Sequence, residues 1–319
     1  MRHSILLSIL GLFLVPAISS AQRDAWLRGS SEPIDLPGGS RVEFRTLESD
    51  AIHGQAAFSV FTPPSYENGD TRYPVVYFLH GLFNDHTSWT IDRHGDIPLL
   101  LDERMSTGKL PEMLLVFPDG GKSFYTNYQD GSANYEDLIV EELPTQIEKT
   151  YRVKPGRAGR AIAGTSMGGY GALKIAMRFP ERYRAVAAHS PIVFPIQNPL
   201  DVPPEARSER YYQYLSGLFL TVYGNPFDQK YFDANNPIAL AETADLDELK
   251  GLAIYFDYGT ADRYNRSVGL GQGLKKLDLA LAARGVDHTF AEHEGEPHGW
   301  ELVYAHIDES MDFLADHLQ

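Results

Sequence analysis

The sequence predicts an α/β protein with a mostly parallel central sheet, antiparallel strands at its N-terminal edge and helices on both faces. Three features lead there. Short continuous runs of β-forming apolar residues recur along the chain, among them Val75-Val76-Tyr77-Phe78-Leu79 and Leu252-Ala253-Ile254-Tyr255-Phe256. Such runs are the mark of strands buried on both faces. Polar Gly/Pro loops and then helical periodicity follow most of them, as parallel strands joined by crossover helices require. Two early segments, Arg41 to Arg45 and Ala57 to Phe61, instead alternate apolar with polar, which fits an antiparallel pair with one covered face.

Arg28 to Ser40, rich in Ser, Pro and Gly, is expected to be an irregular arm. The strand from Pro74 to Leu79 leads into His80-Gly81-Leu82-Phe83-Asn84-Asp85-His86, and helix is expected over about Ile97 to Thr107. Met113 to Phe117 is the next buried strand and ends in Pro118-Asp119-Gly120-Gly121. Tyr135 to Thr150 has helical periodicity with acidic residues in its first turn, but Pro144 lacks an N–H and should disturb it. Ala161-Ile162-Ala163 ends a strand, and helix runs from Tyr170 to Phe179, where Pro180 stops it. Ala185 to Ala188 is a further strand. Helix from about Val268 to Arg284, a last strand at Thr289 to Glu292 and a closing helix to about Leu318 complete the alternation.

The interruption is Ile192 to about Asn236, with Pro195, Pro199, Pro203 and Pro204 before the aromatic run Tyr211-Tyr212-Gln213-Tyr214-Leu215. A structureless loop of that length is uncommon inside one domain. The segment is therefore expected to be partly helical and to fold over the strand ends as a lid; a surface subdomain or a dimer contact is the alternative.

Residues 1–21 combine a basic start (Arg2), an apolar run from Ile5 to Val15 and the small residues Ser19-Ser20-Ala21, the pattern of a secretory signal cleaved before Gln22. The apolar run is short for a membrane span of about 20 residues. Residues 22–319 are then expected to be a single domain, secreted or periplasmic and without stable membrane insertion. The sequence has no cysteine, which excludes disulfides and a thiol nucleophile. A net charge of −15 without a basic cluster excludes nucleic acid as a partner.

The motif with chemical content is Gly164-Thr165-Ser166-Met167-Gly168, a G-x-S-x-G between a strand and a helix. The pentapeptide alone is weak. In a strand–turn–helix context it places a serine hydroxyl at the top of a sheet. Serine needs a neighbouring base, and in this arrangement acid and histidine follow it in chain order. Asp262 lies in a loop after a strand, whereas Asp257 lies within the strand and is expected to be structural. Among His288, His293, His298, His306 and His317, only His298 sits in a Gly/Pro loop directly after the last strand. Strand alternation puts His288 and His293 on opposite faces, which argues against a common metal. The backbone N–H of Met167 and that of Leu82 are the expected oxyanion donors. His80 is either a site-lining donor or a packed histidine. Trp89, Tyr125 and Trp300 lie in strand-end loops where rings could stack on a sugar or phenol, or equally pack inward.

These stretches, together with Ser123-Phe124-Tyr125, Tyr135-Glu136-Asp137, Gly259-Thr260-Ala261-Asp262 and Gly295-Glu296-Pro297-His298-Gly299-Trp300, resemble the putative-esterase branch of the α/β-hydrolases. That branch includes S-formylglutathione hydrolases (esterase D), feruloyl and acetyl-xylan esterases, mycolyltransferases and siderophore-lactone esterases. The likeness covers roughly Arg41 to Leu318, apart from the insertion. It implies an α/β-hydrolase fold, a Ser166–Asp262–His298 triad with Leu82 and Met167 as oxyanion donors, and no cofactor. The expected activity is hydrolysis of a small or polysaccharide-linked carboxylic ester through an acyl-enzyme. Transfer of the acyl group to a sugar or lipid alcohol, and a non-catalytic binding role, are the alternatives. The signal-like N-terminus argues against a cytosolic formylglutathione role, and the insertion leaves the substrate pocket and oligomeric state open.

Overall fold

The computed structural model describes residues 32–89, 97–195, 198–201 and 210–318; the signal-like stretch lies outside them. Nine strands form one sheet: β1 (Ile34–Asp35), β2 (Arg41–Ser49), β3 (Gly54–Thr62), β4 (Val75–Leu79), β5 (Leu114–Pro118), β6 (Arg160–Thr165), β7 (Ala185–His189), β8 (Ala253–Gly259) and β9 (His288–His293). Their order is β1-β2-β3-β5-β4-β6-β7-β8-β9. The pairings β1–β2, β2–β3 and β3–β5 are antiparallel, and all the others are parallel. All residues of β4, β5, β6 and β7 are buried, which explains their unbroken apolar runs. Helix Met167–Arg178 packs with one core layer and helix Trp300–His317 with the other.

After β4 the chain crosses to β5 on one side and then to β6 on the other. The order therefore reverses at the β4/β6 boundary, where a parallel sheet opens a crevice beyond its carboxyl ends. His80 and Ser166 follow those two strands, whose ends are in register at Leu79 and Gly164.

Three details refine the expectation, the second being the disturbance that Pro144 was expected to cause. Within the expected irregular arm, Ile34–Asp35 pairs with Val42 and Arg41 across a tight turn. Helix Tyr135–Asp137 passes through a π turn, Leu138–Glu142, before continuing as Leu143–Thr150. Pro144 has no N–H for the Val140 carbonyl, and the Arg182 guanidinium donates to that oxygen instead, at 3.3 Å. The region between β7 and β8 contains helices Arg210–Tyr223, Gln229–Asp233, Pro237–Thr243 and Leu246–Lys250, so it is helical beyond the expected limit at Asn236. Leu215, Phe219, Val222, Tyr223 and Phe232 belong to the main core. In its described part, the insertion is anchored in the main core through these side chains.

Behind the strand ends lies a buried polar cluster. His189 and Asp257 are register partners on β7 and β8, with both side chains fully enclosed. His189 Nδ1 is 2.9 Å from Asp257 Oδ2, and its Nε2 is 2.9 Å from the Ser310 hydroxyl of the last helix. His293 Nε2 and the Tyr255 hydroxyl reach the same carboxylate oxygen, at 3.2 and 3.1 Å. Burial pushes the Asp257 carboxyl upward, but the charge and hydrogen bonds of His189 and His293 outweigh it and hold the group below the ordinary carboxylate range. The hydrogen bond to Asp257 raises His293 in turn. Among the described residues, no helix is long and apolar enough to cross a membrane.

Two outcomes are expected. Gly168→Ala should destabilise the fold by about 1–3 kcal/mol or more in denaturant unfolding, because its new Cβ would lie 2.0 Å from the Leu79 carbonyl oxygen. Asp257→Asn should cost about 3–5 kcal/mol, since it leaves buried imidazoles without their anion. A raised histidine contributes stability below its unfolded pKa of about 6.5 and loses it as pH rises through the folded value. The deficit of Asp257→Asn should accordingly be larger at pH 6 than at pH 9.

Candidate active site

Ser166 sits between β6 and helix Met167–Arg178 with φ 57° and ψ −117°. A non-glycine residue in that region is strained and persists only where its surroundings fix it. The fixing is steric. A Cβ on Gly164 would lie 2.4 Å from the Gly168 carbonyl, and one on Gly168 would meet the backbone of Leu79 and His80. Strand, helix and the β4 loop thus close on one another with no side chain between them. The Ser166 N–H donates to the His189 carbonyl at 2.9 Å, and the Ser166 carbonyl accepts from Tyr170 at 3.0 Å and from Ile192 at 3.2 Å. With its backbone held on three sides, the residue turns its hydroxyl out of the sheet.

His298 Nε2 is 3.0 Å from Ser166 Oγ, and His298 Nδ1 is 2.5 Å from Asp262 Oδ2. Oδ1 of Asp262 accepts from the Tyr264 N–H at 2.8 Å, which leaves Oδ2 facing the imidazole. The Tyr264 ring meets the His298 ring edge-on, with centroids 4.5 Å apart. The loops carrying Asp262 and His298 are tied together. Thr260 N–H donates to the His293 carbonyl at 2.9 Å, Ala261 N–H donates to the Glu296 carbonyl at 3.1 Å, and Gly259 passes so close to Glu296 that a Cβ there would lie 2.0 Å from its oxygen. An acceptor carboxylate on Nδ1–H leaves the Nε2 lone pair directed at the hydroxyl, the tautomer a general base needs.

Met167 opens the helix directly after Ser166, so its N–H belongs to the first turn, where the helix dipole is positive. Gly81 lies against the same serine: a Cβ on it would be 3.4 Å from the Ser166 Cβ. Leu82, half-buried, follows in the next position. Of the two expected oxyanion donors, Met167 thus adjoins Ser166 in the chain, and Leu82 follows Gly81, which adjoins it in space.

The other expected site residues face elsewhere. His80 is fully buried; its Nε2 accepts from the Gly120 N–H at 2.9 Å and its Nδ1 lies 2.9 Å from the Gly81 carbonyl. It is the packed histidine of the two alternatives, and it pins the β5 loop to the β4 loop. Tyr125 is also fully buried; its hydroxyl donates to the His80 carbonyl at 3.0 Å, and its ring lies against Gly120 and Gly171. Trp89 is 1% exposed and packs on Phe78, Phe117 and Trp300. Trp300 is half-buried against the same core layer. The expectation that these side chains line a substrate is therefore corrected for His80, Trp89 and Tyr125, whose surfaces are taken up by packing; Trp300 gives one face to Trp89.

The remaining histidines have other partners. His288 bonds Asp278 and the Val286 carbonyl, and His317 the Phe313 carbonyl. His293, His306 and Glu309 offer ligand atoms within 4.8 Å of one another. The two imidazoles, however, are stacked with centroids 3.4 Å apart and planes only 19° from parallel. Ring lone pairs lie in the ring plane, so in this arrangement the two do not converge on one ion.

Sequence reasoning missed Lys174, two turns beyond Ser166 on the same helix. Its ammonium is fully buried and donates to Glu136 Oε2 at 2.6 Å, the Tyr125 carbonyl at 2.5 Å and Thr126 Oγ1 at 3.1 Å. Burial lowers it to about 8 against the pull of Glu136. A lysine in a helix whose every other position is apolar or glycine up to Arg178 was the available signal.

Comparison with known proteins agrees with this architecture. The chain is 28% identical over 272 residues to the esterase Rv1288 of Mycobacterium tuberculosis, which covers 80% of this chain and 55% of that protein. It is 29% identical over 175 residues to an S-formylglutathione hydrolase of Paracoccus denitrificans, covering 50% of this chain and 60% of that one. It thus spans little more than half the length of these relatives. A ferulic acid esterase superposes with a TM-score of 0.70 at 26% identity, covering 88% of this chain and 98% of that one. An S-formylglutathione hydrolase from Agrobacterium tumefaciens shares the fold, with a TM-score of 0.69 at 20% identity over 91% of this chain and 100% of that one. The family described as "Putative esterase" matches residues 49–307, most of the chain, and the protein belongs to that esterase family, on the α/β-hydrolase fold.

Proposed function

We propose that the protein is a serine carboxylic-ester hydrolase acting through Ser166, His298 and Asp262. The observation that carries this reading is the His298 ring bridging the Ser166 hydroxyl at 3.0 Å and the Asp262 carboxylate at 2.5 Å. Membership of an esterase family supports it.

In this reading His298 Nε2 takes the hydroxyl proton as Ser166 Oγ bonds to the ester carbonyl carbon. The carbonyl electrons move onto oxygen, and the oxyanion accepts hydrogen bonds from the N–H groups of Leu82 and Met167. Asp262 stabilises the imidazolium and remains ionised. Collapse of the intermediate breaks the carbon–oxygen bond to the alcohol, which leaves with the proton held by His298. A water then gives its proton to His298 and attacks the acyl-serine, and a second collapse returns the proton to Ser166 and frees the acid. No cofactor enters these steps.

Relatives bearing feruloyl-esterase names, at 26–28% identity, make ferulate esters the first substrates to test. The basic, apolar and small-residue order of residues 1–21 supports export with cleavage before Gln22.

Ser166→Ala and His298→Ala should each lower turnover of p-nitrophenyl acetate or butyrate by roughly four to six orders of magnitude. Asp262→Asn should lower kcat by about 10⁴-fold, through the wrong tautomer of His298. Rates for Ser166→Ala equal to wild type would reject the mechanism. N-terminal sequencing of the exported protein should begin at Gln22; an intact Met1 would rule out cleavage.

A further inference from the structure

The loop that provides the Leu82 N–H continues into Phe83, whose backbone has φ 69° and whose side chain is 61% exposed. Among the described residues, four large apolar or aromatic side chains are exposed: Phe83, Tyr214, Leu279 and Tyr304. Two of these four touch. The Phe83 and Tyr214 rings lie 5.3 Å apart, tilted by 35°. Tyr214 comes from helix Arg210–Tyr223 of the insertion, whose opposite side is buried through Leu215 and Phe219. That core contact fixes the height at which Tyr214 stands beside Phe83. A third loop contributes Lys122, exposed, with its ammonium 5.3 Å from the Phe83 ring centre and 5.6 Å from that of Tyr214. Its loop is held to the β4 loop by the bond from Gly120 N–H to His80.

A single exposed aromatic needs no explanation; a contacting pair does when one member lies two residues after Gly81, which packs against Ser166. The two rings leave an open aromatic surface, on which another ring gains by stacking or edge contact. Among the described residues no carboxylate pairs with Lys122, although the chain carries a net charge of −15. Such a chain repels anions at a distance, and a free ammonium on a ring platform makes one local exception.

We propose that Phe83, Tyr214 and Lys122 form a rim subsite that receives an aromatic group bearing a carboxylate in the ester processed at Ser166. Phe83 and Tyr214 hold the ring, and Lys122 pairs with the anion. The assignment rests on the hydrolase reading above and names a substrate class for it. It also gives the insertion a role, since Tyr214 is the residue it brings to the rim.

The test compares matched esters. 4-Acetoxybenzoate against phenyl acetate places the charged ring in the alcohol part, and monomethyl terephthalate against methyl benzoate places it in the acyl part. The wild type should favour the charged member of one pair in kcat/KM, and which pair it is tells which half of the ester the rim holds. Lys122→Met should lower that charged-to-neutral ratio by about 3–10-fold and Lys122→Glu further, and added salt should shrink the wild-type preference. Tyr214→Ala, distant in sequence from the oxyanion loop, should lower kcat/KM for phenyl acetate relative to ethyl acetate by about 3–10-fold, the size of an aromatic pair. Ratios unchanged in all three variants, with wild-type rates on ethyl acetate, would overturn the rim subsite and leave the mechanism standing. Should Ser166→Ala hydrolyse as fast as wild type, the mechanism falls instead. Ligand-observed NMR with 4-hydroxybenzoate then decides the rim alone: weaker binding to Lys122→Met and Tyr214→Ala upholds it, and equal binding removes it.

Discussion

The structure depends on a contact made without side chains. Gly168, in the first turn of the helix after β6, sits against the backbone of Leu79 and His80, with no room for a methyl group. That closeness brings the ends of β4 and β6 together, holds Ser166 in a conformation that an L-residue adopts only under constraint, and aligns the first helical turn with the loop carrying Leu82. Helix dipole, Ser166 hydroxyl and Leu82 loop are set by one steric fact. The strain at Ser166 is supported by three backbone hydrogen bonds, from β7, from the helix and from the segment after β7.

Two buried polar clusters brace this arrangement from opposite sides of the sheet. On one side, Lys174 ties the helix after Ser166 to Tyr125, Thr126 and Glu136, and Tyr125 in turn bonds the carbonyl of His80. On the other, Asp257 gathers His189, His293 and Tyr255, and Ser310 joins through His189. The same residues serve the site through their backbones: the His189 carbonyl receives Ser166 N–H, and the His293 carbonyl receives Thr260 N–H, at the start of the loop that leads to Asp262. Buried charges without partners are costly, and each member here has one. Such networks confer a single geometry more than they confer stability, and a hydroxyl–imidazole–carboxylate chain closed by contacts of 3.0 and 2.5 Å needs a single geometry.

The strands were legible because their burial leaves a trace in composition: β4 and β5 on both faces, β2 by alternation. The order of Ser166, Asp262 and His298 was legible because each follows a strand, and parallel strands deliver their trailing loops to one edge. Trp89, Tyr125 and His80 show the limit of that reasoning. They occupy the same kind of loop as the site residues, but a residue name and a strand end do not say whether a side chain turns outward or inward. Trp89 found Phe78, Phe117 and Trp300, and Tyr125 found the space left by Gly120 and Gly171. Pro144 worked the other way: its missing N–H announced a disturbed helix, while the π turn and the Arg182 donor that accommodate it came from packing.

By itself, the sequence determined the layered α/β class, the strand-to-helix turn at Ser166 and the placement of Ser166, Asp262 and His298 after successive strands, because local periodicity and glycine placement are local physics. It also fixed the absence of thiol chemistry, since there is no cysteine to supply it. Tertiary structure alone decided that His80, Trp89 and Tyr125 turn inward, that Asp257 gathers both His189 and His293, and that Phe83, Lys122 and Tyr214 meet at the rim. Those outcomes depend on the register between strands and on which loops cross which glycines. They involve residues up to about 130 positions apart, and no window of sequence contains both partners of such a contact.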